Sequence, residues 1–260
     1  MDDISCPILE NQVIYGEYHR IVFFAPHITQ SAKPGQFVHV KIDDGKEQIL
    51  RRPFSICDIN RKTDNLVLVY KVVGIGTKKL SSLPIGAKCS ILGPLGTAYT
   101  IQEDAYPVIV VGGYGSASTL FLANTLSRKG HFFMGARTKK DLILLGKYQE
   151  SLWNVEIATN DGSLGYKGFV TEPLIHFLDS TNQKIKIYAC GPAPMLYAVA
   201  KLANERNILC DVSMDQHMGC GVGACFACVI KVLDSSNQGW RYSRSCKEGV
   251  VYSSKEVYCG

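Results

Sequence analysis

Three cysteines share one glycine-rich stretch, Cys220-Gly221-Val222-Gly223-Ala224-Cys225-Phe226-Ala227-Cys228, and a fourth, Cys246, follows 18 residues later. This C-x4-C-x2-C…C spacing is that of a plant-type [2Fe–2S] site. Four thiolates must converge from one tight loop, and Gly221, Gly223 and Ala224 let the backbone wrap closely around inorganic sulfide. Small residues also leave N–H groups free to hydrogen-bond the sulfurs, which tunes the reduction potential. Zinc is satisfied by four cysteines as well, but zinc ribbons usually pair two short C-x2-C knuckles. Here three ligands crowd one loop and the fourth stands alone, which favours iron and sulfide and hence electron transfer.

The rest of the composition narrows the setting. A chain of 260 residues with 46% hydrophobic and 20% charged residues has room for two or three globular domains. The net charge of +5 is dispersed, and short runs such as Arg51-Arg52 and Lys78-Lys79 are too brief for a nucleic-acid patch. Met1-Asp2-Asp3-Ile4-Ser5 carries no basic leader, and the apolar run near Tyr106–Val111 is too short to span a bilayer. A cytoplasmic protein without nucleic-acid or membrane partners is expected. Ten cysteines suit a reducing compartment. Cys6, Cys57, Cys89, Cys190, Cys210 and Cys259, outside the loop, read mostly as small buried hydrophobes.

Three rhythms follow one another. Up to about residue 98, strands are expected at Val13–Tyr18, His19–Ala25, Gln36–Ile42, Leu66–Val73 and Lys88–Leu92, with a helical insert at Thr77–Ser82 and a turn at Gly93-Pro94-Leu95-Gly96. Such strands predict a small antiparallel barrel. From about Tyr106 the pattern becomes strand–helix alternation: Pro107–Val111, a helix to about Arg128, then Phe132–Ala136, Val155–Thr159 and Lys186–Ala189 with helices between. That predicts a doubly wound parallel sheet. The cysteine loop and a short tail close the chain. The expected class is α+β multidomain: a β-barrel over 1–100, a nucleotide-type α/β domain over 101–210, and a small [2Fe–2S] domain over 211–260.

Two motif groups suit nucleotides. Arg52-Pro53-Phe54-Ser55 offers a cation for pyrophosphate, a flat ring to flank a flavin or adenine, and a hydroxyl for a ring edge. A surface arginine beside a core phenylalanine explains the same tetrapeptide. Val73-Gly74-Ile75-Gly76-Thr77 places glycines before a helical turn, where N–H groups suit phosphate; an ordinary capped turn is the alternative. Further on, Gly112-Gly113-Tyr114-Gly115 and Cys190-Gly191-Pro192 each follow a strand and precede a helix. In a doubly wound unit both turns would lie at the carboxyl edge of the sheet, where ligands bind. No catalytic triad, acid/base carboxylate pair or His-x-x-x-His stands out, and His217 reads as solvent-facing or structural rather than as a neighbour of the cluster.

Taken in order, these motifs resemble the ferredoxin-reductase superfamily, and within it the electron-transfer subunits of two-subunit, NAD-dependent dihydroorotate dehydrogenases. The resemblance covers nearly the whole chain, and the cysteine loop directly after the nucleotide domain is its most specific part. It implies FAD against Arg52, Pro53, Phe54 and Ser55, the strand Val69, Tyr70 and Lys71, and the Gly76-Thr77 turn. It implies one [2Fe–2S] cluster on Cys220, Cys225, Cys228 and Cys246, and NAD as a diffusible co-substrate at Gly112, Gly113, Gly115, Cys190, Gly191 and Pro192. An FMN-containing catalytic subunit would be the partner, in a heterotetramer of two plus two, with electrons crossing the cluster singly and leaving as hydride to NAD. The chain departs from the superfamily at Tyr114, where a small residue is common, and at Ser118, near a usual proline. The same architecture would also serve an NAD(P)H:ferredoxin or sulfide oxidoreductase, because the partner decides the substrate.

Overall fold

The computed structural model describes residues 2–42, 49–235 and 239–257, which divide by compactness into two units. The first comprises Met1–Ala98, Gln216–Val229 and Arg244–Val250, and the second Tyr99–Asp215, Ile230–Ser243 and Val251–Gly260. Cys259 lies outside the described residues.

In the first unit, β1 (Asp2–Tyr15), β2 (Tyr18–Phe24), a short α1 (Pro26–Ser31), β3 (Phe37–Lys41), β4 (Arg52–Ser55), β5 (Asp58–Asn60), β6 (Asn65–Lys71), α2 (Ile75–Ser81) and β7 (Lys88–Leu95) follow in order. The strands form one antiparallel sheet ordered β4-β3-β7-β1-β2-β6-β5. Its curl comes from β1, whose first half, Asp2–Pro7, pairs with β7 while its second half pairs with β2. The ends approach where Phe54 of β4 meets Tyr70 of β6, ring centroids 5.4 Å apart. Alternation along β6 and β7 buries one face and leaves the other half-exposed, as a barrel wall requires.

Several sequence expectations shift here. The strand expected over Val13–Tyr18 is a hairpin, with Tyr15 opposite Tyr18 and Gly16 turning at φ +53. Its first arm begins at Asp2, where acidic and exposed residues hide the strand from hydropathy. Gly93-Pro94-Leu95 is not a turn but the end of β7: Gly93 pairs with Asp2 and Leu95 with Phe37, so the chain turns only at Gly96, φ +75. A side chain at Gly93 would meet Val38 at 2.8 Å, so glycine serves sheet packing there.

The second unit is built on β8 (Tyr106–Gly112), α3 (Gly115–Thr125), β9 (His131–Ala136), α4 (Leu145–Glu150), β10 (Asn154–Thr159), β11 (Tyr166–Lys167), α5 (Thr171–Ser180), β12 (Ile185–Cys190), α6 (Ala193–Glu205) and β13 (Leu209–Ser213). The sheet order is β11-β10-β9-β8-β12-β13, parallel throughout. A last antiparallel strand, β16 (Val251–Ser253), is added against β13. Val108, Val110, Phe133, Ile187 and Ala189 pack under α5 and α6 on one face. On the other, Phe132 stacks on Tyr148 of α4 at 3.8 Å, and the Tyr148 and Thr119 hydroxyls meet at 3.1 Å. Helices on both faces and wholly buried central strands match the doubly wound expectation. Strand order reverses between β8 and β12, creating the crevice where such sheets bind ligands.

Between the third and fourth loop cysteines, β14 (Val229–Leu233) and β15 (Trp240–Arg244) form a two-stranded sheet, followed by α7 (Ser245–Glu248). This hairpin is the physical content of the 18-residue gap: it returns the chain so that Ser245 N–H donates to the Cys228 carbonyl at 3.1 Å.

Candidate functional site

The cysteine loop gathers its thiols as two pairs. Cys220 Sγ accepts N–H groups from Val222 at 3.4 Å, Ala224 at 3.3 Å and Cys225 at 3.4 Å, while Cys220 N–H donates to Cys225 Sγ at 3.4 Å. Cys246 N–H donates to Cys228 Sγ at 3.4 Å. Positive φ at Gly221 (+73), Gly223 (+82) and Phe226 (+57) turns the backbone so that these N–H groups face inward. Partial burial opposes ionisation of Cys220, yet the converging N–H groups outweigh it and draw the thiol down to about 6. Burial, then contact with Cys228, pushes Cys246 up.

Paired thiols suit a two-iron cluster. Each tetrahedral iron shares two bridging sulfides and needs two thiolates, whereas one zinc ion needs all four around a single point. Among the described residues no group of three or more His, Cys, Asp or Glu side chains is placed to hold one metal ion. Arg244 braces the loop, donating to the Gly223 carbonyl at 3.2 Å and to Glu248 at 2.7 Å. Cys6, Cys57, Cys89, Cys190 and Cys210 are all buried.

In the barrel, two of the flavin motifs meet. The Arg52 guanidinium lies over Gly76, so close that a Cβ there would come 2.9 Å from Nε and 3.0 Å from Nη2. Phe54 and Tyr70 form a ring pair, and Tyr70 also stacks on His19 at 5.6 Å. The Tyr70 hydroxyl is buried without a hydrogen-bond partner, and burial raises its pKa. A guanidinium over a glycine, a ring pair and an unpaired buried hydroxyl fit a flavin nucleotide.

Other expected residues do different work. Thr77 Oγ1 accepts N–H groups from Val73 at 3.0 Å and Gly74 at 3.1 Å, so its hydroxyl caps α2. Lys71 points away from Tyr70 and pairs with Glu17 at 3.3 Å. Pro53 lies opposite His39, and Ser55 opposite Phe37. Arg51, the neighbour of Arg52, is tied to Asp3 at 2.6 Å and to the Ser90 carbonyl at 3.0 Å.

At the carboxyl edge of the parallel sheet the two glycine turns interlock. A Cβ on Gly112 would meet Pro192 Cδ at 2.6 Å, one on Gly115 the Cys190 carbonyl oxygen at 2.2 Å, and one on Gly191 the Gly112 nitrogen at 2.8 Å. These glycines are therefore required by turn-on-turn packing whatever binds above them. Gly113, at φ +55, faces open space. Tyr114 precedes α3 and is exposed, whereas Ser118 is buried.

His39 and His19 were not singled out by sequence reading. Isolated histidines in β-rich segments carry no spacing signal; His39 is marked by full burial with both ring nitrogens unpaired, and half-buried His19 by an unpaired Nδ1.

Comparison with known proteins bears on both sites. Residues 5–99 match the oxidoreductase FAD-binding domain family, and residues 215–258 the iron-sulfur cluster binding domain of dihydroorotate dehydrogenase B. A chain from the structure of an NADH-dependent reduced ferredoxin-NADP oxidoreductase is 27% identical with TM-score 0.83, covering 97% of this chain and 89% of that one. An Amycolatopsis cytochrome P450 reductase, 23% identical with TM-score 0.66 over 80% of this chain and 67% of its own, shares the fold. The electron transfer subunit of dihydroorotate dehydrogenase B (NAD(+)) from Desulforamulus reducens is 37% identical over 239 residues, 90% of each chain. Its counterpart from Fusobacterium nucleatum is 32% identical over 261 residues, 97% of each. The chain belongs to the family of electron transfer subunits of NAD-dependent dihydroorotate dehydrogenase B.

Proposed function

We propose that this oxidoreductase subunit carries electrons from an FMN-containing dihydroorotate dehydrogenase subunit to NAD+, using FAD held by residues 1–100 and a [2Fe–2S] cluster held by Cys220, Cys225, Cys228 and Cys246. FAD exchanges two electrons as hydride or one at a time, and the cluster exchanges one, so together they join hydride chemistry to single-electron transfer. The observation that carries the reading is the pairing of Cys220 with Cys225 and of Cys228 with Cys246, in the same compact unit as the barrel. Arg52 neutralises pyrophosphate, Phe54 and Tyr70 flank the flavin, and the loop N–H groups hold negative charge on sulfur. Residues 101–210, through Gly113 and the crevice between β8 and β12, receive the nicotinamide nucleotide beside Tyr114.

The assembly is a cytoplasmic heterotetramer of two plus two. Among the described residues no helix is long and apolar enough to cross a membrane. Co-expression with the candidate catalytic chain tests the scheme: the complex should contain FAD, FMN and two iron atoms per copy of this chain, and should couple dihydroorotate oxidation to NAD+ reduction. Normal dihydroorotate turnover by this chain alone would refute the division of labour, and a colourless zinc protein would refute the cluster. The likeness to the ferredoxin-NADP oxidoreductase chain favours, as a second reading, an NAD(P)H:ferredoxin or sulfide oxidoreductase subunit. Co-purification with a large flavin and [4Fe–4S] subunit would establish that reading instead.

A further inference from the structure

We propose that His39 is a positioning residue of the cluster, a buried neutral imidazole that donates a hydrogen bond to a cluster sulfur and so sets how readily the cluster accepts an electron. The proposal rests on reading Cys220, Cys225, Cys228 and Cys246 as cluster ligands. His39 sits in the middle of β3 and is fully buried, and neither ring nitrogen has a hydrogen-bond partner within the protein. Native structures rarely leave such groups unpaired unless a ligand or water completes them.

The position of the ring indicates which ligand. It packs directly on Gly221, where a Cβ would come 2.8 Å from both Cε1 and Nδ1 and 3.0 Å from Nε2. Gly221 is the residue after Cys220, whose sulfur already collects three backbone N–H groups of the loop. His39 therefore presents a side-chain donor beneath the same loop. Around it, the Phe37 ring lies 5.6 Å away, and the cross-strand positions are Pro53 and Leu92. Burial and the Arg51 charge draw the ring pKa down to about 4, so near neutral pH it carries one N–H and one lone pair. The register also matters. His39 lies opposite Pro53 of the Arg52–Ser55 strand, so one residue touches both the flavin strand and the cluster loop.

A donor to a cluster sulfur stabilises the reduced state, which carries more negative charge, and raises the potential. Space-filling alone would not. The test is an EPR-monitored redox titration of the cofactor-loaded full chain as wild type, His39→Leu and His39→Gln. His39→Leu should weaken electron uptake by the cluster about tenfold, 59 mV for a one-electron couple, with the FAD midpoint unchanged. His39→Gln retains an N–H and should recover most of the shift. An unmoved cluster midpoint in His39→Leu overturns the proposal, as does an equal shift in both variants. A moved FAD midpoint with a stationary cluster overturns it too, by placing the acceptor on the flavin. Should His39→Leu fail to assemble the cluster, pulsed EPR of the 15N-histidine-labelled wild type decides. A 15N coupling to the reduced cluster that disappears in His39→Gln supports the assignment, and its absence overturns it. A wild-type chain that holds no iron–sulfur cluster refutes the cysteine reading itself, a distinct outcome visible before any variant is made.

Discussion

Gly76→Ala separates the role of Arg52 in binding FAD from any role in folding. The added methyl would lie 2.9 Å from Arg52 Nε, 3.0 Å from Nη2 and 3.2 Å from Cζ. Favourable carbon contacts need about 3.5–4.0 Å, so something must move. Gly76 is not among the glycines with positive φ, and alanine is favoured over glycine in a helix by about 0.8–1.0 kcal/mol. The backbone therefore accepts alanine, and the end of the flexible arginine gives way. Displacing the guanidinium removes a charge-assisted phosphate contact worth about 1.5–3 kcal/mol, roughly ten- to a hundredfold in FAD affinity. Arg52→Ala should cost the same, and the double variant should cost no more than either alone, because both remove one interaction. Arg51→Ala should leave FAD affinity nearly unchanged, since that side chain is spent on Asp3 and Ser90. Fluorescence titration of FAD into deflavinated chain gives the affinities, and thermal melts verify that folding is intact. Additive losses in the double variant, or full FAD affinity in Gly76→Ala, would refute the reasoning.

Cys225→Ser should abolish the cluster, because a hydroxyl is a poor ligand for this metal, while FAD stays bound; iron analysis and flavin absorbance check both. Gly115→Ala places a methyl 2.2 Å from the Cys190 carbonyl oxygen, backbone that cannot step aside, and should destabilise the chain by about 1–3 kcal/mol or more in urea unfolding. In metal-stripped chain, iodoacetamide should label Cys220 with a rate that rises through about pH 6, because its lowered pKa populates thiolate above that value, whereas Cys246, held protonated by burial, should react far more slowly; mass spectrometry of the labelled peptides reads the order.

Much of this protein is legible in local sequence because local covalent geometry is what its motifs encode. The spacing of Cys220, Cys225 and Cys228 reflects one tight loop, and glycines at strand ends mark the carboxyl edge of a parallel sheet. Hydrophobic runs such as Val108–Val111 identify central strands because both of their faces are buried. The N-terminal strand escaped for the opposite reason, since its exposed acidic residues leave no period to read.

What tertiary structure decided are the matters of contact between distant segments. Sequence nominated Arg52 and Gly76 separately, but only the curled sheet lays one on the other. It proposed Gly112, Gly115 and Gly191 for a nucleotide, and the fold adds that each is already needed where adjacent turns interlock. It gave no reason to notice His39, because a lone histidine in a strand looks the same whether it faces water or, as here, is sealed against Gly221. Burial and unpaired hydrogen-bonding capacity are properties of a surrounding assembled from residues far apart in the chain, whereas ligand spacing is a property of the chain itself.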